Sequence, residues 1–218
     1  MKRIGLFGGT FNPIHYGHLR PAEEISDRLD LESVFFIPAS DPPHKEKKDL
    51  LPAALRAKMV RLAIAENPRF SFSDAEIIRP GKSYSVETIP YFQRLLGKET
   101  ELYFILGLDA FLEIGSWKDP GTLFTLCHFA ILMRPGFEKI FSAEHLPVDL
   151  ASDFCYDFKK DGYMHKSGFG IFPREITALD ISSTKIREIV GQGKSIRYLV
   201  PPAVERFIVE QGFYQKGS

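Results

Sequence analysis

Short apolar runs alternate with helical patterns from residue 3 to residue 136, and this alternation narrows the possible folds more than any other feature of the chain. RIGLFG (3–8) reads as a buried strand. HLRPAEEISDRLDL (18–31) follows, with Leu19, Ala22, Ile25 and Leu29 on one helical face. SVFFIPA (33–39) is a second strand, stopped by Pro38 and the loop SDPPHKEKKD (40–49). A helix over 52–67 has Pro52 near its first turn. RFSFSDAEII (69–78) alternates like a strand, and 85–97 reads as a helix that Pro90 should bend or start late. ELYFILGLD (101–109) and FAILMRPG (129–136) are further strands. Strand and helix alternating at this spacing mark parallel βαβ units with right-handed crossovers. The expected class is α/β, a doubly wound parallel sheet with its ligand at the carboxyl ends of the strands.

The rest of the chain is less regular. Residues 137–170 mix aromatic, charged and turn residues and are expected to form an insertion or extended loop. ISSTKIREIVG (181–191) reads as a capped helix closed by Gly191. PPAVERFIVEQG (201–212) reads as another, with Pro202 near its start and Gly212 at its end. The length of 218 residues suits a single domain spanning 1–218, with 181–218 as its C-terminal helical part.

Composition excludes several classes. Apolar residues make up 44%, enough for a sizeable core, so disorder as the main state is excluded. The 28 basic and 28 acidic side chains cancel, which argues against a nucleic-acid or membrane binder. Cys127 and Cys155 stand far apart in no CxxC pattern, so neither a disulfide framework nor a zinc site is expected. The start, MKRIGLFGGTFNP, has too short an apolar stretch for a signal peptide, and no run approaches the roughly 20 apolar residues of a membrane span. A cytoplasmic location is the expectation. The sequence leaves the oligomeric state, a homo-oligomer included, undetermined.

The chemistry concentrates in RIGLFGGTFNPIHYGHLRPAEEI (3–25). Gly8 and Gly9 leave the first strand without Cβ atoms, so the backbone can turn sharply and approach a bulky anion. The helix that begins near Gly17 and His18 points its free N–H groups and dipole at the same place. Together these make a phosphate cradle. His15 and His18 flank it, and their imidazole donors suit the charge that builds on a phosphoryl group under attack. Such transfer needs no protein nucleophile, only positioning and charge stabilisation. A metal-binding reading of the pair would need i, i+4 spacing and a third ligand. GKS at 81–83 and at 193–195 lacks the glycine a Walker loop requires, because 76 and 188 are glutamate. GFG at 168–170 lacks the third glycine of a dinucleotide fingerprint, because 173 is proline.

GGTFNPIHYGHL and, near the other end of the chain, ISSTKIR (181–187) resemble the HxGH and ISSTxIR signatures of the nucleotidyltransferase α/β-phosphodiesterase superfamily. With SDPPHK (40–45), GKSYSVET (81–88), GLDAFLEIGSW (107–117) and LMRPG (132–136), the chain resembles the bacterial nicotinate-nucleotide adenylyltransferase family over most of its length, less so over 137–170. The resemblance implies a Rossmann-like nucleotidyltransferase fold. It also implies a reaction that joins ATP to nicotinate mononucleotide, giving nicotinate adenine dinucleotide and pyrophosphate, the penultimate step to NAD.

Carried onto this chain, His15 and His18 would bind ATP phosphates and stabilise the transition state. Gly8, Gly9, Thr10 and Phe11 would line the nucleotide with main chain. Gly107 and Asp109 would hold the adenosine ribose, and Ile181, Ser182, Ser183 and Arg187 would complete the ATP site from the last signature. On the substrate side, Trp117, the only tryptophan, has a face that suits stacking on a pyridine ring. Tyr84 and Ser85, at a helix start, would bind the pyridine carboxylate, and His44, Lys45 and Arg134 would grip phosphates. Mg²⁺ is implied, bound mainly through ATP phosphates with no protein ligand set.

The chain departs from the family pattern at three positions: Asn12 stands where many relatives carry Asp, Ser40 where Asn is frequent, and Ser85 where Thr is frequent. Asn12 keeps the turn and capping chemistry of Asp. Three other functions fit part of the pattern: adenylyl transfer to nicotinamide mononucleotide, adenylyl transfer to phosphopantetheine, and non-catalytic nucleotide binding. GLDAFLEIGSW argues against the phosphopantetheine reading. Both histidines together with ISSTKIR argue against simple binding, for which transition-state donors are superfluous.

Overall fold

The computed structural model describes residues 1–42, 50–133, 141–177 and 179–215. β1 (Lys2–Gly9) leads into α1 (Tyr16–Arg28), β2 (Ser33–Pro38), α2 (Ala53–Ile64) and the three-residue β3 (Phe70–Phe72). α3 (Ala75–Ile78) and α4 (Ser85–Leu96) precede β4 (Thr100–Gly107), which α5 (Leu108–Leu112), α6 (Pro120–Leu123) and β5 (His128–Met133) follow. Then come β6 (Phe154–Asp157), β7 (Gly162–His165), β8 (Gly170–Glu175), α7 (Ser183–Gly191) and α8 (Pro202–Glu210). Short 3₁₀ segments fall at Ile114–Ser116, Ala143–His145 and Val148–Asp153. No helix among the described residues is long and apolar enough to cross a membrane.

One eight-stranded sheet runs in the order β3-β2-β1-β4-β5-β8-β7-β6. The pairs from β3 to β8 are parallel, and β7 and β6 close the far edge as an antiparallel hairpin. Alternate residues feed opposite faces. In β4, Tyr103 and Ile105 join a core with α1, α2, α7 and α8, while Leu102, Phe104 and Leu106 join a second core with α4, α5 and α6. Both faces are covered, as a parallel sheet requires, because its strands bury side chains on each side. The chain leaves β1 in one direction for β2 and later returns to β4 on the other flank. The crevice of such a sheet opens at this reversal, beyond the carboxyl ends of β1 and β4.

Several expectations need correction. The sheet is parallel over six strands but mixed as a whole. The alternation at 69–78 yields only Phe70–Phe72 as strand, after which Asp74 starts the short α3. The helix at 85 does not start late: it begins at Ser85 and carries Pro90 within it. Pro90 is the sixth helical residue, so only one i→i−4 bond near the start is lost, and α1 tolerates Pro21 at the same place. The positive-φ stop after α7 is Gly193 at φ 68°, not Gly191, which is the last helical residue. Within 137–170, the described residues 141–170 hold two 3₁₀ segments and the β6–β7 hairpin.

Candidate active site

A cleft of about 740 Å³ lies at the switch point, lined by Gly8, Gly9, Thr10 and Phe11 from the end of β1 and by Gly107 and Asp109 from the end of β4. His18 lines it from the first turn of α1, and Tyr84, Ser85 and Trp117 line it from the α4 side. Two groups widely separated in sequence are thus brought to one space, as the strand-end argument predicts.

The opening loop is shaped by its aromatic residue. Phe11 sits at φ 48° with its ring buried, edge-on to Phe7 at 5.9 Å and to His18 at 5.1 Å. The ring packs beneath Gly9, where a Cβ would stand 2.8 Å from it. Gly9 is therefore required by the loop's own fold. A Cβ at Gly8 would make only ordinary contact with Phe104.

His15 and His18 have different places. His15 is the N-cap of α1 and is 4% exposed, whereas His18 lines the cleft. The backbone N–H of His15 donates to His18 Nδ1 at 3.3 Å. An accepting Nδ1 puts the proton of the neutral ring on Nε2, so His18 presents Nε2–H as a donor. The two rings lie 3.7 Å apart, centre to centre, at 32°. Gly17 makes that pairing fit: a Cβ there would stand 2.9 Å from His15 Nδ1 and 3.0 Å from the Ile181 carbonyl oxygen. The glycine of the first signature thus admits the histidine before it and the backbone of the second signature beside it.

The second signature braces the opening loop. Ser182 caps α7 by accepting from Lys185 N–H at 3.1 Å. Ser183 Oγ donates to the Pro13 carbonyl at 2.9 Å, and an Arg187 amino group donates to the Asn12 carbonyl at 2.9 Å. None of Ile181, Ser182, Ser183 or Arg187 is among the cleft-lining residues. Ser183 and Arg187 thus brace, through the Pro13 and Asn12 carbonyls, the loop that lines the cleft.

Arg56 is the site residue that sequence reasoning missed. It is fully buried and donates to three carbonyls: Leu51 at 2.9 Å, Thr10 at 2.7 Å and Ser40 at 3.0 Å. One guanidinium thus ties the loops after β1 and β2 to the approach to α2. Burial lowers its pKa, with the nearby Tyr214 acting in the other direction. The signal was available, because Arg56 shares a helical face with Met59, Val60 and Ala63, an unusual place for an unpaired-looking charge. Asn12 is held from two further directions: its Oδ1 accepts from Leu51 N–H at 3.3 Å and from Tyr214 O–H at 2.8 Å.

The α4 side of the cleft is equally knit. Tyr84 is the N-cap of α4, and Thr88 Oγ1 donates to buried, cleft-lining Glu76 at 2.7 Å. Ser83 Oγ accepts from Ser40 N–H at 3.0 Å, joining this wall to the loop after β2. Trp117 is half-buried and edge-on to Phe104 at 6.4 Å, so it is seated on the core while still lining the cleft. His44, Lys45 and Arg134 lie outside the described residues. No group of three or more His, Cys, Asp or Glu side chains placed to hold a metal occurs among the described residues.

A family model described as cytidylyltransferase-like matches residues 6–189, the span from β1 to α7 that builds this cleft, and this is the class the fold defines. Two curated relatives named probable nicotinate-nucleotide adenylyltransferase match nearly end to end. The one from Geotalea daltonii is 48% identical, covering 99% of each chain, and the one from Geobacter sulfurreducens is 47% identical, covering 97% of this chain and 98% of its own. The chain belongs to the nicotinate-nucleotide adenylyltransferase family. Among solved structures, Plasmodium falciparum nicotinic acid mononucleotide adenylyltransferase complexed with NaAD superposes with a TM-score of 0.74 at 20% identity, covering 98% of both chains. A putative nicotinate-nucleotide adenylyltransferase from Vibrio parahaemolyticus gives 0.65 at 17%, covering 99% of this chain and 97% of its own. At those identities the likeness is one of fold.

Proposed function

We propose that the protein transfers the adenylyl group of ATP to nicotinate mononucleotide, giving nicotinate adenine dinucleotide and pyrophosphate in NAD biosynthesis. One observation carries the reading: a single cleft has the His18 donor and the N-terminus of α1 on one side and Tyr84, Ser85 and Trp117 on the other. Names of relatives 44–48% identical over nearly the whole chain support it.

In this reading a phosphate oxygen of the mononucleotide attacks the α-phosphorus of ATP. The new P–O bond forms as the bond to the bridging oxygen breaks, and that electron pair leaves with pyrophosphate. His18 donates from Nε2 to the phosphoryl oxygens as negative charge builds, in a site already arranged for it. The N–H groups of the first turn of α1 add to the same field. His15 fixes the turn and the orientation of His18. Gly107 and Asp109 hold the ribose, and Trp117 stacks on the pyridine. Ile181, Ser182, Ser183 and Arg187 complete the ATP site from the last signature, where Ser183 and Arg187 also brace the opening loop. His44, Lys45 and Arg134 remain proposed phosphate contacts. ATP enters as its Mg²⁺ complex, the ion carried by phosphate oxygens and water.

Steady-state kinetics of two variants test this division of the cleft. His18→Ala is expected to lower kcat about 100-fold or more, the loss of one transition-state donor. Trp117→Ala is expected chiefly to raise the KM for the mononucleotide. Near-normal kcat in the first, or an unchanged KM in a folded second, contradicts the roles assigned.

A further inference from the structure

The chain leaving β8 passes along α1 on its way to α7, and one buried carboxylate holds it there. Glu24, on the third turn of α1, is 8% exposed. Its Oε2 accepts from the Thr177 N–H at 2.9 Å, and its Oε1 accepts from Arg20 at 2.6 Å. Burial alone would push the Glu24 carboxyl up, but the bonds from Thr177 and Arg20 outweigh it and leave the carboxyl below its usual range. The chain is fixed on both sides of this contact. Ile176 donates its N–H to the Met133 carbonyl at 2.9 Å and lines the cleft, as Gly17 and Pro21 of α1 do. Further on, the Ile181 carbonyl comes so close to α1 that a Cβ on Gly17 would stand 3.0 Å from it. Gly17, Pro21 and Glu24 are spaced i, i+4, i+7 and so share one face of α1, about 10 Å long. The chain from Thr177 to Ile181 can span about 13 Å, enough to cover that face.

We propose that Glu24 is a positioning residue for ATP: by holding Thr177 it fixes the connection from β8 to α7 against α1, and with it the part of the cleft wall that Ile176 forms and the entry into ISSTKIR. The proposal rests on the functional reading above, which supplies the ATP. The connection belongs to one half of the cleft. Ile176 and Ile181 pack in the core shared with α1, α2, α7 and α8, whereas Trp117 and Val86 pack in the core on the opposite face of the sheet. Apolar packing of Ile176 alone is non-directional and would let the connection slide along α1. A hydrogen bond to a backbone N–H is directional and fixes one register. A carboxylate suits the task because its charge strengthens that bond, and Arg20 on the other oxygen keeps Oε2 aimed at Thr177. Glu24 is not among the cleft-lining residues, so it acts only through the backbone it holds.

The measurements are the Kd of Mg²⁺–ATP by calorimetry without mononucleotide, and the steady-state KM of each substrate, for Glu24→Ala, Glu24→Asp and Glu24→Gln. Glu24→Ala is expected to raise the Kd and KM for ATP about tenfold, the scale of one charge-assisted hydrogen bond lost. Its KM for nicotinate mononucleotide is expected to stay within about twofold of the wild type, because only one half of the cleft is disturbed. Glu24→Asp keeps the charge but withdraws the carboxylate by one methylene, and is expected to raise the ATP Kd about threefold. This variant decides the matter if Glu24→Ala does not fold. Glu24→Gln keeps an acceptor for the Thr177 N–H and is expected to bind ATP nearly as the wild type does. A merely structural glutamate would lower the melting temperature without separating the two KM values. An unchanged ATP Kd in Glu24→Asp, equal rises in both KM values, or a Glu24→Gln as weak as Glu24→Asp overturns the proposal. A wild type that binds ATP and turns over no mononucleotide overturns the functional reading alone, and the order of the ATP Kd values still decides the role of Glu24.

Discussion

At Gly17 two rules of residue chemistry oppose each other. Glycine within a helix is destabilising by roughly 1 kcal/mol relative to alanine, so Gly17→Ala would ordinarily help α1. Here the added Cβ meets His15 Nδ1 at 2.9 Å and a backbone carbonyl, that of Ile181, at 3.0 Å. The ring could rotate away, but the carbonyl is held in the loop that leads to α7. The contact therefore outweighs propensity: Gly17→Ala is expected to lower both the melting temperature and kcat, and a variant that melts higher with full activity would contradict this. The glycines and histidines stood out in sequence because they follow a buried strand in a telling order. What separates His15 from His18 was not, since spacing does not say which imidazole becomes the N-cap and which reaches the cleft. Arg56 escaped for a related reason: its partners are backbone carbonyls at 10, 40 and 51, which leave no mark on residue types.

Among the elements, the parallel strands were legible and the edge hairpin was not. β1, β2, β4 and β5 are buried on both faces and so read as continuous apolar runs. β6 and β7 lie at an edge, where Cys155 and Tyr156 are exposed and no such run is needed. His128 links this edge to the older pattern. It opens β5, stacks on Tyr103 of β4 at 4.8 Å, and accepts at Nδ1 from the Gly170 N–H of β8 at 2.9 Å. Burial lowers its pKa from 6.5 to about 4, and protonation would abolish that acceptor. The folded protein thus binds fewer protons than the unfolded chain between those values. The contribution of His128 to stability is complete above pH 6.5 and is lost as pH falls toward 4, a change on the order of 3 kcal/mol. Chemical denaturation across that range should show a steeper loss for the wild type than for His128→Gln, which keeps an acceptor without the titration. Equal slopes would contradict the assignment.

For the whole molecule, the sheet's reversal between β1 and β4 creates the cleft, and the two cores on its faces fix the walls. The first signature forms the floor of that cleft, while the second reaches it from the far end of the chain by way of the Pro13 and Asn12 carbonyls. That arrangement brings together two short motifs distant in sequence: one lines the cleft, and the other is hydrogen-bonded to the loop that continues it. The most direct measurement is pyrophosphate release by the purified protein from ATP and Mg²⁺, with nicotinate mononucleotide, nicotinamide mononucleotide and phosphopantetheine compared side by side. The account predicts rapid release with nicotinate mononucleotide, with nicotinate adenine dinucleotide as the second product, and much slower release with the other two. Faster release with phosphopantetheine or the amide would contradict the substrate assignment, and no release with any of them, from folded protein that binds ATP, would contradict the transfer chemistry itself.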